Sequence, residues 1–201
     1  TSRLGTKIPL VIEMDEDLAL YSGLWLADGC YDKNSVLISI VEPEARAVVD
    51  RIAERFGTTA KMHSDNVTLM IHSKPFKQFC ENVLLLKGDA YTKKMPGWMF
   101  KLEKNLTSAV LRGYFSGDGW VRKNDIAISS CSKQLLKDTQ TLLLRFGIPL
   151  RIKWKMRKDK TYESRISGQK FLSAFVSQIG FSINHKNEKS IKWVNSKNHD
   201  I

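Results

Sequence analysis

Apolar positions gather into short runs whose period changes along the chain. Leu18 to Ala27 is almost continuously apolar. Asp15, Glu16 and Asp17 lie ahead of it, where a helix N-terminus favours negative charge, so the run predicts a helix ending at Asp28. Residues 36–40 (Val-Leu-Ile-Ser-Ile) are rich in β-branched side chains and predict a strand. From Glu42, with Pro43 tolerated in the first turn, Val48, Val49, Ile52, Ala53 and Phe56 share one helical face, and Gly57 ends that helix. Ala60 and Met62 alternate with polar residues, Ser64-Asp65-Asn66 turns, and Val67, Leu69 and Ile71 alternate again, which predicts a hairpin. A helix over 74–86 closes the series. Residues 87–105, with Gly88, Pro96 and Gly97, read as a connector pinned by Trp98 and Phe100. The order then returns: a helix over 106–118, strands 120–123 and 125–130, a helix over 132–146 ended by Gly147, a hairpin 149–157/161–167 and a helix over 169–180. That is α-β-β-α-β-β-α twice, a duplicated domain rather than a solenoid. Residues 1–14 read as an extended arm and 181–201 as a polar, basic tail lying on the surface. The expected division is 1–90, a linker 91–105, and 106–201.

The two copies share one frame. Tyr21-Ser22-Gly23-Leu24-Trp25-Leu26-Ala27-Asp28-Gly29 returns as Leu111-Arg112-Gly113-Tyr114-Phe115-Ser116-Gly117-Asp118-Gly119, with the aspartates 90 residues apart. Small residues four apart lie on one helical face and let another backbone come close, so the two helices are expected to pack as the seam. The glycine after each aspartate reads as a left-handed helix end. Packing would bring Asp28 and Asp118 together where the helix dipole is already negative and the carboxylates repel; a divalent metal resolves both problems. Trp25, Tyr114 and Phe115 read as core, and Trp120 as packing.

Charge then narrows the partner. The chain carries +11 with a pI near 9.6, a balance that favours nucleic acid over an acidic membrane. Residues 1–90 carry −3 and residues 106–201 carry +11, so the second half is expected to dominate any phosphate grip. In the second hairpin Arg151, Lys153, Lys155 and Arg157 alternate with Ile152, Trp154 and Met156, and Thr161, Glu163 and Arg165 share one face of the returning strand. Four alternate cations would repel unless a polyanion lay across them, and a two-stranded ribbon fits the major groove of B-DNA. The first-half counterpart is milder: Lys61, His63, Thr68 and His72. The histidines show no zinc-site spacing. Cys30, Cys80 and Cys131 make no framework and read as free thiols of a reducing intracellular compartment, the cytoplasm of a prokaryote or an organelle. Neither a signal peptide nor a membrane span is expected.

The two Gly/Ala-framed Asp-Gly segments resemble the paired motifs of LAGLIDADG homing endonucleases in their monomeric, two-motif form, over nearly the whole chain. The resemblance implies an α+β fold of two pseudo-twofold-related halves, each with an antiparallel sheet, forming a saddle on double-stranded DNA. It implies a site-specific endonuclease that cuts both strands of a non-palindromic target of roughly two helical turns, working as a monomer with Mg²⁺ or Mn²⁺. Asp28 and Asp118 would be catalytic metal ligands, and the carbonyls of Ala27 and Gly117 extra ones. The family's late basic residue matches Lys74 and Lys170, each following the fourth strand of its half. Its polar residue at the end of the second strand matches Ser130, whereas the first half offers Ile40 or Val41; Glu42, nearby, reads as a helix start. The rival expectation is an intron RNA-splicing maturase, or another RNA-binding relative on the same scaffold. Neither end shows protein-splicing residues, so an intein is not expected.

Overall fold

The structure, a computed structural model, describes residues 11–196, so most of the expected N-terminal arm and the last five residues lie outside the described region. Helix α1 (Glu16–Asp28) is the centre. Asp15 caps it, its carboxylate accepting from the Leu18 N–H at 2.9 Å. Every residue from Leu18 to Leu26 is buried, so this helix is enclosed on all sides rather than amphipathic. Its duplicate α4 (Lys104–Asp118) lies against it, with Thr107–Leu111 and Gly113–Ser116 buried.

Each helix runs straight into a four-stranded antiparallel sheet. The first is ordered β1 (Gly29–Tyr31), β2 (Ser35–Ser39), β4 (Thr68–His72), β3 (Ala60–Met62). The second is ordered β5 (Gly119–Val121), β6 (Asp125–Ser130), β8 (Tyr162–Ser167), β7 (Arg151–Ile152). The expected α+β architecture of two like halves is present. The register sets two faces. Val36, Ile38, Leu69 and Ile71 point inward in the first sheet, and Ile126, Ile128 and Ile166 in the second, and all are buried.

Behind the sheets lie α2 (Pro43–Arg55) and α5 (Lys133–Leu144); the predicted Val48, Val49, Ile52, Ala53 and Phe56 turn inward together with Ala45, and α5 turns Leu135, Leu136, Leu142 and Leu143 inward. Each buried valine, leucine or isoleucine among them adds about 1.5–3 kcal/mol. Gly57 and Gly147 follow these helices at φ +64° and +70°, as expected. The third helix of the first half is short, α3 (Lys74–Gln78), and continues as a π-helical turn over Phe79–Val83. Its phenylalanines stack: Phe56–Phe76 at 5.0 Å and Phe56–Phe79 at 4.9 Å between ring centroids. The connector holds a 3-10 turn, Gly97–Lys101, and Trp98 does pin it, donating Nε1–H to the Leu84 carbonyl at 2.7 Å.

Three expectations need correction. Gly29 and Gly119 are not left-handed: their φ values are −84° and −92°, because the chain leaves each helix directly as a strand. Glycine is needed there for space instead. A Cβ on Gly29 would lie 2.4 Å from the Trp25 ring, and one on Gly119 would lie 2.4 Å from the Phe115 carbonyl oxygen. The tail is not a loose coat: after α6 (Gln169–Gln178) it forms α7 (Asn184–Ser196). The first arm of the second hairpin is a regular strand only at Arg151–Ile152, against the full returning strand β8, and Trp154 and Met156 are exposed rather than on a covered face.

Candidate active site and nucleic-acid interface

The seam is backbone against backbone. A Cβ on Gly23 would lie 2.1 Å from the Val110 carbonyl oxygen, and one on Gly113 would lie 2.2 Å from that of Leu20. Gly117 meets Ala27, where an added Cβ would come within 2.4 Å of the alanine methyl. Only this frame of small residues lets α1 and α4 approach so closely, and the approach delivers Asp28 and Asp118 side by side where both helices end.

The two acids share their surroundings with two lysines that sequence reasoning missed. Lys93 Nζ donates to the carbonyls of Trp25 and Ala27, both at 3.1 Å, and lies 4.8 Å from the Trp25 ring centre. Lys186 Nζ donates to the carbonyls of Ser116 at 2.6 Å and Gly117 at 3.2 Å. Each ammonium therefore caps one motif helix at its negative end. Lys93 is 5% exposed and Lys186 half-buried.

The segment carrying each lysine is tied to the half opposite the helix that the lysine caps. The Lys93 carbonyl accepts from Ser132 Oγ at 2.6 Å, and Met95 N–H donates to Asp138 at 3.0 Å, both partners on or beside α5. Gly88, at φ +99°, lets the chain fold tightly onto the Lys93 amide. At the other site the Asn184 N–H that begins α7 donates to Glu44 of α2 at 3.2 Å, while Ser182 donates to Ser116 Oγ from both its amide and its hydroxyl.

Electrostatics follow from this crowding. Burial pushes Asp118 up to about 8, and the Asp28 charge adds to the rise while Lys93 and Lys186 oppose it. Asp28 is raised by burial too, against the same two lysines, with Glu42 reinforcing the rise. Asp28 nevertheless reaches solvent, so it sits at the floor of an open groove rather than in a sealed core. Burial lowers both lysines, and the carboxylates partly offset this. Glu42 was read as a helix start, and it does occupy the N-cap position of α2. Its side chain makes no capping hydrogen bond, however, and lines a cavity of about 220 Å³ with Asp28, Ser39, Ser116 and Gly117.

The other proposed lysines lie elsewhere. Asp28 leads into Gly29, which pairs with Ile38, and Ile38 pairs with Leu69; Lys74 leaves β4 past His72, at the opposite end of the sheet. In the second half Gly119 sits level with Ile128 and Ser164, while Lys170 follows Ser167 at the far end of β8. Both lysines are exposed helix-start residues, roughly 15–20 Å along the strand direction from their aspartates. Ser130 lies beneath its sheet, its hydroxyl accepting from the Ser132 N–H at 3.1 Å, so it does not present to the groove. The shift of one residue matters: Ser39 and Ser129 are the outward positions. The lysines left one trace in the sequence. Lys93 follows Asp28 by 65 residues and Lys186 follows Asp118 by 68.

The outward faces collect the expected polar positions. In the first sheet these are Lys61, His63, Thr68 and His72, the last with Nδ1 2.9 Å from Ser35 Oγ. In the second they are Arg151, opposite Arg165, with Lys153 and Glu163 beside them. Thr161 and Arg157 meet at the hairpin's end, with Lys155 exposed nearby. The cations of this hairpin do not wait on a polyanion: Glu163 takes Arg157 at 2.9 Å and Arg122 at 3.1 Å, and also pairs with Arg165. Trp120 is not plain packing but lies on this outer face, its ring 5.1 Å from the Arg122 guanidinium.

Among the described residues no cluster of three His, Cys, Asp or Glu side chains is arranged to hold a metal, no helix is long and apolar enough to cross a membrane, and all three cysteines are unpaired.

Comparison with known proteins agrees with the fold. The family described as LAGLIDADG-like domain matches residues 105–180. The curated DNA-directed RNA polymerase subunit Rpo1C of Methanocaldococcus jannaschii is 29% identical over 98% of this chain, which spans only 23% of that protein. In eight such relatives the matched stretch is 8–23% of the whole, so the ends of the present sequence carry no weight for or against protein splicing. Among solved structures, I-DmoI in complex with DNA and Ca superposes with a TM-score of 0.66 at 16% identity, covering 94% of this chain and all of that one. Full-length DUF199/WhiA from Thermotoga maritima superposes with a TM-score of 0.62 at 14% identity, covering 94% of this chain and 63% of that one.

Proposed function

This chain belongs to the LAGLIDADG family, and on that premise we propose that it is a site-specific, metal-dependent endonuclease cutting both strands of a long, non-palindromic DNA duplex. The observation that carries the reading is the pairing of Asp28 and Asp118 at one end of a glycine-packed seam, each beside a lysine ammonium, between two outward sheet faces. A module that only gripped a polyanion would have no use for two carboxylates forced together.

The donors fit a hard divalent cation. All are oxygens, the carboxylates are pressed together and raised, and Asp28 is open to the groove. Asp28 and Asp118 would hold Mg²⁺ or Mn²⁺, with the second lone pairs of the Ala27 and Gly117 carbonyls as further donors. When bound, the ion supplies Lewis-acid polarisation of the scissile phosphate and acidifies a water. The solved complexes of I-DmoI with DNA and Mn or Ca are in keeping with such an ion.

The protein's own groups do the rest. The halves 1–90 and 106–201 address one strand each. Lys93 and Lys186, held by burial below the usual lysine range, set positive charge beside the reacting phosphate oxygens and orient the attacking water. Lys74 and Lys170, far along the sheets, are left to backbone contacts. The outward cations grip phosphates, more strongly in the second half. Two motifs in one chain let a monomer act, and three free thiols suit a reducing compartment.

Incubating a supercoiled plasmid library of candidate sites with Mg²⁺, and in parallel with EDTA, tests the reading. The expected result is Mg²⁺-dependent linear product with 5′-phosphate ends. Tight binding of structured RNA with no cutting of any duplex would favour the splicing-maturase alternative instead.

A further inference from the structure

Glu163 lies in the middle of β8 on the outward face, yet it is only 7% exposed. Three guanidiniums cover it. Arg122 reaches Oε1 at 3.3 Å and Oε2 at 3.1 Å, Arg157 reaches Oε2 at 2.9 Å, and Arg165 reaches Oε1. Each arginine has a second restraint: Arg122 lies over the Trp120 ring, Arg165 is 3.6 Å from Asp125, and Arg157 is 3.6 Å from Asp159. An arginine has five N–H donors in a planar fork, so these bonds leave donors free on every guanidinium. A groove of about 420 Å³ opens beside them, walled by Lys153, Lys155 and Lys158.

We propose that Glu163 is a specificity-determining positioning residue, organising Arg122, Arg157 and Arg165 into a surface that reads guanine edges in the major groove. The inference rests on the duplex-DNA reading above and names the chemistry of its target. A carboxylate behind three arginines is the wrong device for phosphate. It lowers the local positive potential and so weakens a sequence-independent grip, for which unrestrained lysines suffice. It is the right device for base reading, because guanine offers two acceptors, O6 and N7, that a correctly turned guanidinium meets together. Holding the fork in place beforehand removes the ordering cost at binding.

The first sheet is built otherwise. Among the described residues its outward face carries no arginine: Arg46, Arg51 and Arg55 sit on α2, tied to the Ile40 carbonyl, Asp17 and Asp15. Leu37 and Met70 face each other there, half-buried, among Lys61, Thr68 and His72. Apolar side chains of this kind suit thymine methyl groups. The target is therefore unsymmetrical in composition, with guanines concentrated under the second sheet.

The test is selection of bound duplexes from a randomised pool by the full chain carrying Asp28→Asn and Asp118→Asn, so that binding is read without cutting. Two or more guanines are expected in one half of the selected site. Glu163→Gln should reduce the preference for those guanines about 10-fold while leaving affinity for random duplex equal or higher. Arg165→Lys should relax one of the same positions and none in the other half, which also assigns that half to the second sheet. Arg165 is on the surface, so this variant decides the matter even if Glu163→Gln folds poorly. A selected site without guanines, or guanine preference unchanged in Glu163→Gln and Arg165→Lys, overturns the proposal. Cutting of the selected duplex by the unsubstituted chain tests the nuclease reading separately: cutting without guanines sinks only the guanine surface, and guanines without cutting sink only the nuclease.

Discussion

The carboxylate of Asp28 leans across the seam onto Gly117 of the other motif helix, where an added Cβ would lie 2.9 Å from Asp28 Oδ2 and 2.4 Å from the Ala27 methyl. One half's acid is thus positioned by the other half's missing side chain. Gly117→Ala should displace Asp28 and cut the cleavage rate at least about 10-fold, since small misplacements at a reacting centre are costly. Its far-UV circular dichroism should match the parent; an unaltered rate would show that the contact is slack.

Gly23 is a different case, because its neighbours are backbone. With the Val110 carbonyl oxygen 2.1 Å from the added methyl, Gly23→Ala must push the helices apart. A loss of about 3 kcal/mol, the upper end of overpacking costs, is expected from urea unfolding.

Asp28→Asn and Asp118→Asn should each abolish double-strand cutting while duplex binding, read by gel shift with Ca²⁺ and without, stays within about threefold. The isosteric amide keeps the shape and removes the charge. Full cleavage by either variant would refute the site.

Removing one ammonium should be felt on the chemistry. Lys93→Met and Lys186→Met are expected to lower single-turnover cleavage about 100-fold, the scale of losing one fixed electrostatic donor. Lys74→Ala and Lys170→Ala should change it little and act on binding instead. A reversal of that order would restore the two lysines first expected from the sequence.

The metal-free protein should lose stability as pH rises from 5 to 8. Asp118 is raised to about 8 and Asp28 is raised as well, so the folded form holds protons that the unfolded form has released by pH 5. Their contribution is complete below the ordinary aspartate range and is lost as pH passes through the folded values. Lys93 and Lys186 are lowered, and their effect belongs to the alkaline side of this window. Thermal midpoints in EDTA should fall across it, and Mg²⁺ or Asp118→Asn should flatten the slope. A midpoint that rises would contradict the raised carboxylates.

What was legible in the sequence was local or repeated. Gly23, Ala27, Gly113 and Gly117 announce a close helix pair because the four-residue spacing that puts each pair on one face is carried within about one turn of its own helix. Val36–Ile40 and the α2 face were legible for the same reason. Lys93 and Lys186 were not, because each reaches its helix end through a return of more than sixty residues. What holds them, Ser132, Asp138 and Glu44, belongs to the opposite half. The second hairpin failed as a regular ribbon because alternation alone does not say whether a face will be covered. Trp154 and Met156 stay about half exposed even though Tyr162 and Lys137 lie against the Trp154 ring, and Glu163 gathers the cations out of register.

The reciprocal fastening of Lys93 to α5 and of α7 to α2 makes the halves poor interchangeable parts. A chimera that kept the glycine seam but took one half from a relative would assemble and still lose an ammonium, because the socket for each lysine is inherited with its neighbour. Recombination between such proteins would succeed only where Ser132, Asp138 and Glu44 travelled with the halves they serve.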